Sequence, residues 1–205
     1  MNRPVRVAFA VGDAGGISPE LTARVLADPE ANAGDLIVIG DARVVAMGAE
    51  QAGVTLDLST VLAQDLERGL PEGTVLVDMQ NCDPAAITIG VSSAETGAAS
   101  LQNFGAALRL AKAGLADVVF FTPFNKHGMR LAKPDYVDEI GFIDQPIGAI
   151  RRGREITVLD EVWNARVTSH IPLREVADSL SAERIFQSIR LTVETMEDAG
   201  YERPR

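Results

Sequence analysis

The sequence predicts an α/β fold built on a mostly parallel sheet, and three observations carry that expectation. Short apolar runs at residues 5–11, 36–39, 74–79 and 118–121 read as strands covered on both faces. Helical signals fall between these runs, so strand and helix alternate and crossover connections follow. The first run leads directly into Gly12-Asp13-Ala14-Gly15-Gly16-Ile17-Ser18-Pro19-Glu20, a strand end, a glycine-rich turn and a helix start. Such a junction brings backbone N–H groups and a helix N-terminus to one edge of a sheet, where anionic ligands bind.

The elements follow in order. Ser18 is placed to cap the first helix, with Pro19 at its first position, where the missing N–H costs nothing. Leu21 and Val25 lie four apart on one face of that helix. Residues 36–39 form the next strand, Gly40-Asp41 breaks it, and a short helix runs to about Ala52. The pattern then weakens; residues 55–58 read as a short strand and 74–79 as a buried one. Residues 78–90 are irregular, with Asn81, Asp83 and Pro84 as breakers. The clearest helix covers 93–113: Ser92 and Glu95 have capping-box spacing, and Leu101, Phe104, Leu108, Ala111 and Leu115 form one apolar stripe. Gly114 closes it, and 118–121 is another buried strand.

Beyond Thr122 the character changes. Pro123-Phe124-Asn125-Lys126-His127-Gly128 reads as a turn at a strand end, and 132–154 carries prolines and glycines with little regularity. Strands at 156–159 and 165–168 suggest a hairpin turning at 160–164. A helix over 173–180 follows, then a second one from Ser181 with Ile185, Ile189, Val193 and Met196 on one face, ending at Gly200. A boundary near Asn125 to Pro134 divides a first α/β lobe, residues 1–130, from a second, residues 131–205. The closing Tyr201-Glu202-Arg203-Pro204-Arg205 has the form of a stop before another strand, so the second lobe reads as incomplete.

Composition narrows the function classes. The 205 residues are long enough to bury a real core, with 46% hydrophobic and 23% charged residues as in an ordinary globular protein. A net charge of −10 without a basic face argues against a nucleic-acid partner. No apolar run reaches membrane-spanning length, and the first strand follows Met1 too closely for a signal peptide. Cys82 is the single cysteine, which excludes an internal disulfide and a cysteine-based zinc site. A cytoplasmic protein is the expectation. The cluster Arg151-Arg152-Gly153-Arg154 is either a solvated loop or a local anion site.

Three segments have chemical potential. The Gly12–Gly16 turn matches neither the G-x-G-x-x-G fingerprint nor a Walker loop. Lys126 stands at the carboxyl end of a predicted parallel strand, suited to holding a phosphate or carboxylate, and His127 beside it titrates near neutrality or sits in a solvated turn. His170 lies where a strand gives way to a helix, a place for a metal ligand or general base; from spacing alone a structural role is the better reading, because one histidine is not a metal site.

Taken together, these segments resemble the 4-hydroxythreonine-4-phosphate dehydrogenase family of pyridoxal phosphate synthesis. Gly12 to Glu20 resembles its G-[DE]-P-A-G-I-G-P-E, with Ala14 and Ser18 as departures; Gly40-Asp41, Ser93-Ala94-Glu95 with Gly97, and Pro123-Phe124-Asn125-Lys126 match further motifs. Thr168 to Asp178, T-S-H-I-P-L-R-E-V-A-D, is the most specific match. The resemblance covers essentially the whole chain in order. It implies isocitrate/isopropylmalate dehydrogenase-like α/β/α lobes flanking a cleft, a homodimer, and oxidation of a secondary hydroxyl of a small-molecule substrate by NAD or NADP with decarboxylation. It also implies a divalent metal (zinc, magnesium or cobalt) held by three histidines, of which His170 would be the first, and a catalytic role for Lys126. The substrate loop G-H-T-E falls on Asp138-Glu139-Ile140-Gly141, so Glu139 and Ile140 take the substrate-binding His and Thr positions without matching them. That departure leaves an aromatic cis-dihydrodiol as an alternative substrate. Only His127 and His170 are present, so the chain is expected to be inactive by itself, or to be a binding or oligomerisation module that keeps part of the fold.

Overall fold

The computed structural model describes residues 4–31, 34–148, 155–169 and 171–204. They form two compact units, Met1–Arg152 and Gly153–Arg205.

The first unit is a three-layer α/β/α arrangement around a parallel sheet. Its strands are β1 (Arg6–Ala10), β2 (Asp35–Gly40), β3 (Ser59–Leu62), β4 (Val75–Asp78) and β5 (Val118–Phe121), in the spatial order β3-β4-β2-β1-β5. Every neighbouring pair is parallel; Val7 stands opposite Leu36 on one side and Val118 on the other. Strand periodicity sends alternate side chains to opposite faces. Ala8, Ala10, Ile37, Ile39, Val75 and Val77 pack under α3 (Ala94–Lys112). Phe9, Val11, Leu36, Val38 and Leu76 pack under α1 (Ser18–Ala27) and α2 (Ala42–Ala52). Two short helices follow β5: α4 (Lys126–Ala132) and α5 (Glu139–Ile147).

Several expectations shift. Ser18 is not the cap of α1; Ile17 holds that position without a side-chain bond, and the Ser18 hydroxyl donates instead to the Pro123 carbonyl at 2.6 Å. The cap of α3 is Ser93, one residue after the expected Ser92, and its hydroxyl accepts from the Thr96 amide. The α3 stripe is broader at the start and shorter at the end than its apolar pattern: Thr96, Ser100 and Asn103 are buried, while Leu115 is exposed. Strand β3 lies at 59–62 rather than 55–58, on the sheet edge. β5 is the other edge, and Val118 and Phe120 are about half exposed, because α1 and α2 cover β1 and β2 rather than β5. The stretch expected to be irregular after Ala132 contains α5, with Pro146 inside it.

The second unit opens with an antiparallel hairpin, β6 (Ile156–Val158) and β7 (Trp163–Ala165), whose turn at 159–162 comes earlier than expected. A 3-10 turn over Leu173–Glu175 and a four-residue α6 (Val176–Ser179) replace the single helix expected over 173–180. The last helix, α7 (Ala182–Asp198), starts at the expected Ser181 cap. Trp163 packs edge-on against Tyr201 at 5.5 Å.

Candidate functional site

Parallel strands all point their carboxyl ends to one edge of the sheet, and ligands of open α/β sheets bind there, at the crevice where strand order reverses. In the first unit the reversal falls between β1 and β5, since β2, β3 and β4 lie on one side of β1 and β5 on the other. The segments that leave those two strands are the glycine turn after β1 and the Pro123–Lys126 junction after β5. The structure ties them together. The Gly12 amide donates to Thr122 Oγ1 at 2.9 Å, the Asp13 amide donates to the Pro123 carbonyl at 3.0 Å, and Ser18 Oγ reaches the same carbonyl. A Cβ on Gly12 would lie 2.4 Å from both the Thr122 and Pro123 carbonyl oxygens, so only glycine permits this approach.

The glycine turn therefore has a different use from the anion cradle its sequence suggests. The Gly15 amide donates to Asp13 Oδ1 and the Gly16 amide to the Asp13 carbonyl. Four of its amides are thus consumed within the protein, and the buried Asp13 carboxylate places negative charge inside the turn. The turn braces the Lys126 junction.

That junction is fixed from three other sides. Asn125 caps α4: its Oδ1 accepts from the Gly128 amide at 3.1 Å and its Nδ2 donates to Ser92 Oγ at 2.7 Å. α4 crosses α3 at a glycine-on-glycine contact, where a Cβ on Gly97 would meet the Gly128 carbonyl oxygen at 2.0 Å. Beneath the junction lies an aromatic cluster: Phe121 stacks on Phe124 at 4.5 Å, and Phe104 packs against Phe121, Phe124 and Phe142 at 5.1, 5.1 and 5.5 Å. Phe142 belongs to α5, so the same cluster seats the helix that begins with Glu139.

The consequence is a juxtaposition that spacing alone did not reveal. Lys126 Nζ and Glu139 Oε2 are 3.0 Å apart, both partly exposed. Asp138 caps α5 through its side chain, which accepts from the Gly141 amide at 2.7 Å. Tyr136 is buried against Phe142 and beside Glu139; its hydroxyl has no well-formed hydrogen bond among the described residues. Burial, reinforced by the Glu139 charge, holds the Tyr136 phenol well above its ordinary pKa, so it stays protonated. Ile140 is half-buried, and His127 is exposed on α4. His170 and the Arg151, Arg152 and Arg154 cluster lie outside the described residues.

Elsewhere on the same sheet edge the chemistry is structural. Burial opposes ionisation of Asp41, but the Arg43 guanidinium and the Cys82 and Arg43 amides outweigh it and hold the carboxyl below the ordinary aspartate value. Burial, aided by Glu95 and Asp41, pushes the Cys82 thiol up to about 11, so it is unreactive at neutral pH. In the second unit a groove of about 410 Å³ is lined mainly by apolar side chains, among them Trp163, Val167, Val193 and Met196.

A model of the family described as "Pyridoxal phosphate biosynthetic protein PdxA" matches residues 32–205. The chain belongs to the PdxA family. The Gly12–Glu20 turn precedes the matched span, although individual relatives align across it. A protein of Rhizobium meliloti (strain 1021), named "Putative 4-hydroxythreonine-4-phosphate dehydrogenase 2", is 48% identical over 201 residues, 98% of this chain and 58% of its own length. One of the same name from Pseudomonas aeruginosa PAO1 is 33% identical over 100% of this chain and 62% of its own length. This chain thus spans about three-fifths of the PdxA relatives it matches. Two solved structures share the fold. A 4-hydroxythreonine-4-phosphate dehydrogenase from Burkholderia phymatum superposes with a TM-score of 0.80 at 24% identity, over 100% of this chain and 62% of its own. A terephthalate 1,2-cis-dihydrodiol dehydrogenase from Burkholderia xenovorans LB400 does so with a TM-score of 0.64 at 23% identity, over 98% and 60%. The fold is therefore that of the PdxA dehydrogenases, as the sequence led us to expect.

A three-histidine metal centre does not fit this PdxA chain by itself. The sequence holds two histidines, and the described residues bring together no group of three potential His, Cys, Asp or Glu ligands. No helix among the described residues is long and apolar enough to cross a membrane.

Proposed function

We propose that this chain carries part of a cytoplasmic, homodimeric NAD(P)-dependent dehydrogenase that oxidises a secondary hydroxyl of a small hydroxy acid, with loss of carbon dioxide from the keto acid formed. The match to the PdxA family model over residues 32–205 carries this reading. The nicotinamide supplies the hydride acceptor. No described residue marks its seat, since the glycine turn spends its amides internally. Lys126 is the residue of this chain proposed to meet the substrate, because it stands at the carboxyl edge of the sheet on a junction held by Asn125, Gly97 and the Phe124 cluster. Glu139 and Ile140 are proposed to border the same substrate. His170 is proposed as a metal ligand on the strength of the T-x-H-x-P-L-R segment. With two histidines in the chain, no step is routed through a metal, and turnover is proposed to need histidines this chain does not contain.

An assay of NADH or NADPH formation, with zinc, magnesium or cobalt and a panel of phosphorylated and unphosphorylated hydroxy acids, tests the reading. The 205-residue chain should give no turnover and bind zinc weakly by isothermal titration. The same chain extended by the remaining segment of its Rhizobium relative should give turnover that depends on His170. Robust turnover by the 205-residue chain, or none by the extended form, overturns it. The replacement of His-Thr by Glu139-Ile140 favours a second substrate reading, an aromatic cis-dihydrodiol, and the same panel decides it. An extended form that stays silent while the chain still self-associates would instead favour a binding or oligomerisation module.

A further inference from the structure

We infer that Glu139 is a specificity-determining residue: its ion pair with Lys126 cancels the ammonium at this sheet edge, so the site takes a substrate whose nearby end bears hydroxyls rather than a phosphate. The inference rests on the dehydrogenase reading above and names the class of substrate for it. Its basis is the arrangement of charge on α4, α5 and the segment between them.

Three cations lie along this stretch, and each is already engaged. Lys126 Nζ is 3.0 Å from Glu139 Oε2. Arg130 donates to the carbonyls of Tyr136 and Val137, both at 3.3 Å. Lys133 binds both carboxylate oxygens of Asp135 at 2.8 Å. Against these three cations stand Asp135, Asp138 and Glu139, so the described Lys, Arg, Asp and Glu side chains of residues 126–139 leave no surplus positive charge.

The backbone that carries Glu139 is held in place. Glu139 is the first residue of α5, and that helix is anchored by the Asp138 cap and by Phe142 in the aromatic cluster. The buried Tyr136 packs beside it and keeps its proton. A phosphomonoester carries about −1.5 to −2 charges at neutral pH. To reach Lys126 it would have to part the ammonium from the Glu139 carboxylate 3.0 Å away and then lie close to that carboxylate. Like charges brought together in this way discriminate strongly between ligands. A hydroxyl-bearing end incurs neither cost, and it can accept from Lys126 and donate to Glu139 while the pair stays intact.

Isothermal titration of inorganic phosphate at low salt tests this directly. The wild-type chain should show no saturable phosphate binding, and Lys126→Met should leave that isotherm unchanged. Glu139→Gln should gain saturable binding tighter by about tenfold or more, the scale of one released charge contact. The double variant Glu139→Gln/Lys126→Met should lose it again. Wild-type binding that Lys126→Met abolishes overturns the inference, as does a folded Glu139→Gln that gains nothing. Should Glu139→Gln not fold, Glu139→Ser takes its place, with the same gain expected and the same absence of gain overturning the inference. The titration reads no turnover, so a missing dehydrogenase activity leaves it intact. An active enzyme without the phosphate gain sinks this inference alone.

Discussion

The ammonium of Lys126 and the carboxylate of Glu139 meet at 3.0 Å, joining the first residue of α4 to the first residue of α5. The pair spans a thirteen-residue separation, and the helices on either side are seated by Phe124 and Phe142 in one cluster. Its side chains are 42% and 22% exposed, so solvent screens the attraction. Lys126→Met should change the free energy of unfolding by less than about 1 kcal/mol. Urea denaturation followed by circular dichroism checks this. A loss several times larger would mean that the pair is a structural staple rather than a feature of the site.

The α3–α4 crossing makes a sharper demand. A methyl group on Gly97 would stand 2.0 Å from the Gly128 carbonyl oxygen and 2.2 Å from its carbon, and backbone cannot move aside as a side chain can. Gly97→Ala should destabilise by about 1–3 kcal/mol through overpacking. Gly114 provides the contrast. Its φ is +72° with nothing near its Cβ position, so Gly114→Ala should cost about 1–2 kcal/mol from backbone strain alone, without moving α4. Hydrogen exchange separates the two: α4 amides should exchange faster in the first variant and normally in the second.

Asn125 serves two partners with two different atoms. Asn125→Ala removes both the cap on α4 and the bond to Ser92, and should cost about 1 kcal/mol or more. Asn125→Asp keeps the acceptor for the Gly128 amide and loses the donor to Ser92, so its cost should be smaller. Thermal melts of the two variants rank them, and equal losses would show that the Ser92 bond, not the cap, holds the junction.

Asp41 should govern part of the acid response. Its folded pKa lies below the ordinary 3.8, so its contribution is present above that value and is lost as pH falls through the lower, folded value. In Asp41→Asn, unfolding free energy should therefore be lower than wild type at neutral pH, and the gap should narrow on acidification below about pH 4. Denaturation at a series of pH values measures it. A gap independent of pH would mean that the loss comes from packing rather than charge.

The parallel strands were legible because strands covered on both faces must be continuous apolar runs, and β1, β2 and β4 are such runs; β5 is an equally continuous apolar run, but it is an edge strand with one face half exposed. β3 was displaced because an edge strand with Ser59 and Thr60 exposed has no such signal. α5 was hidden by Gly141 and Pro146, which local propensity penalises; Phe142, Ile143 and Ile147 pack on the core and override it. At the candidate site, Lys126 was legible as a cation at a strand end. Its partner was not, because nothing local says that residue 139 returns to residue 126. The glycine turn was misjudged for the same reason: the groups that consume its Gly12 and Asp13 amides, Thr122 and Pro123, lie about 110 residues further along the chain.

The position of β1 also dictates an order of events as the protein is made. Within the five-stranded sheet β1 comes first in chain order, yet one of its two neighbours, β5, comes last, and the Arg6 amide closes onto Asp117 across 111 residues. The glycine turn, the Ser18 hydroxyl and the buried Phe104 all await partners in the segment 117–124. A nascent chain halted before Val118 should hold β1–β2–β4 pairing with an unsealed core, and should gain protection at Gly12 and Asp13 only after Pro123 has cleared the ribosome. Pulse-labelling of arrested chains of increasing length would show that protection arriving in one step.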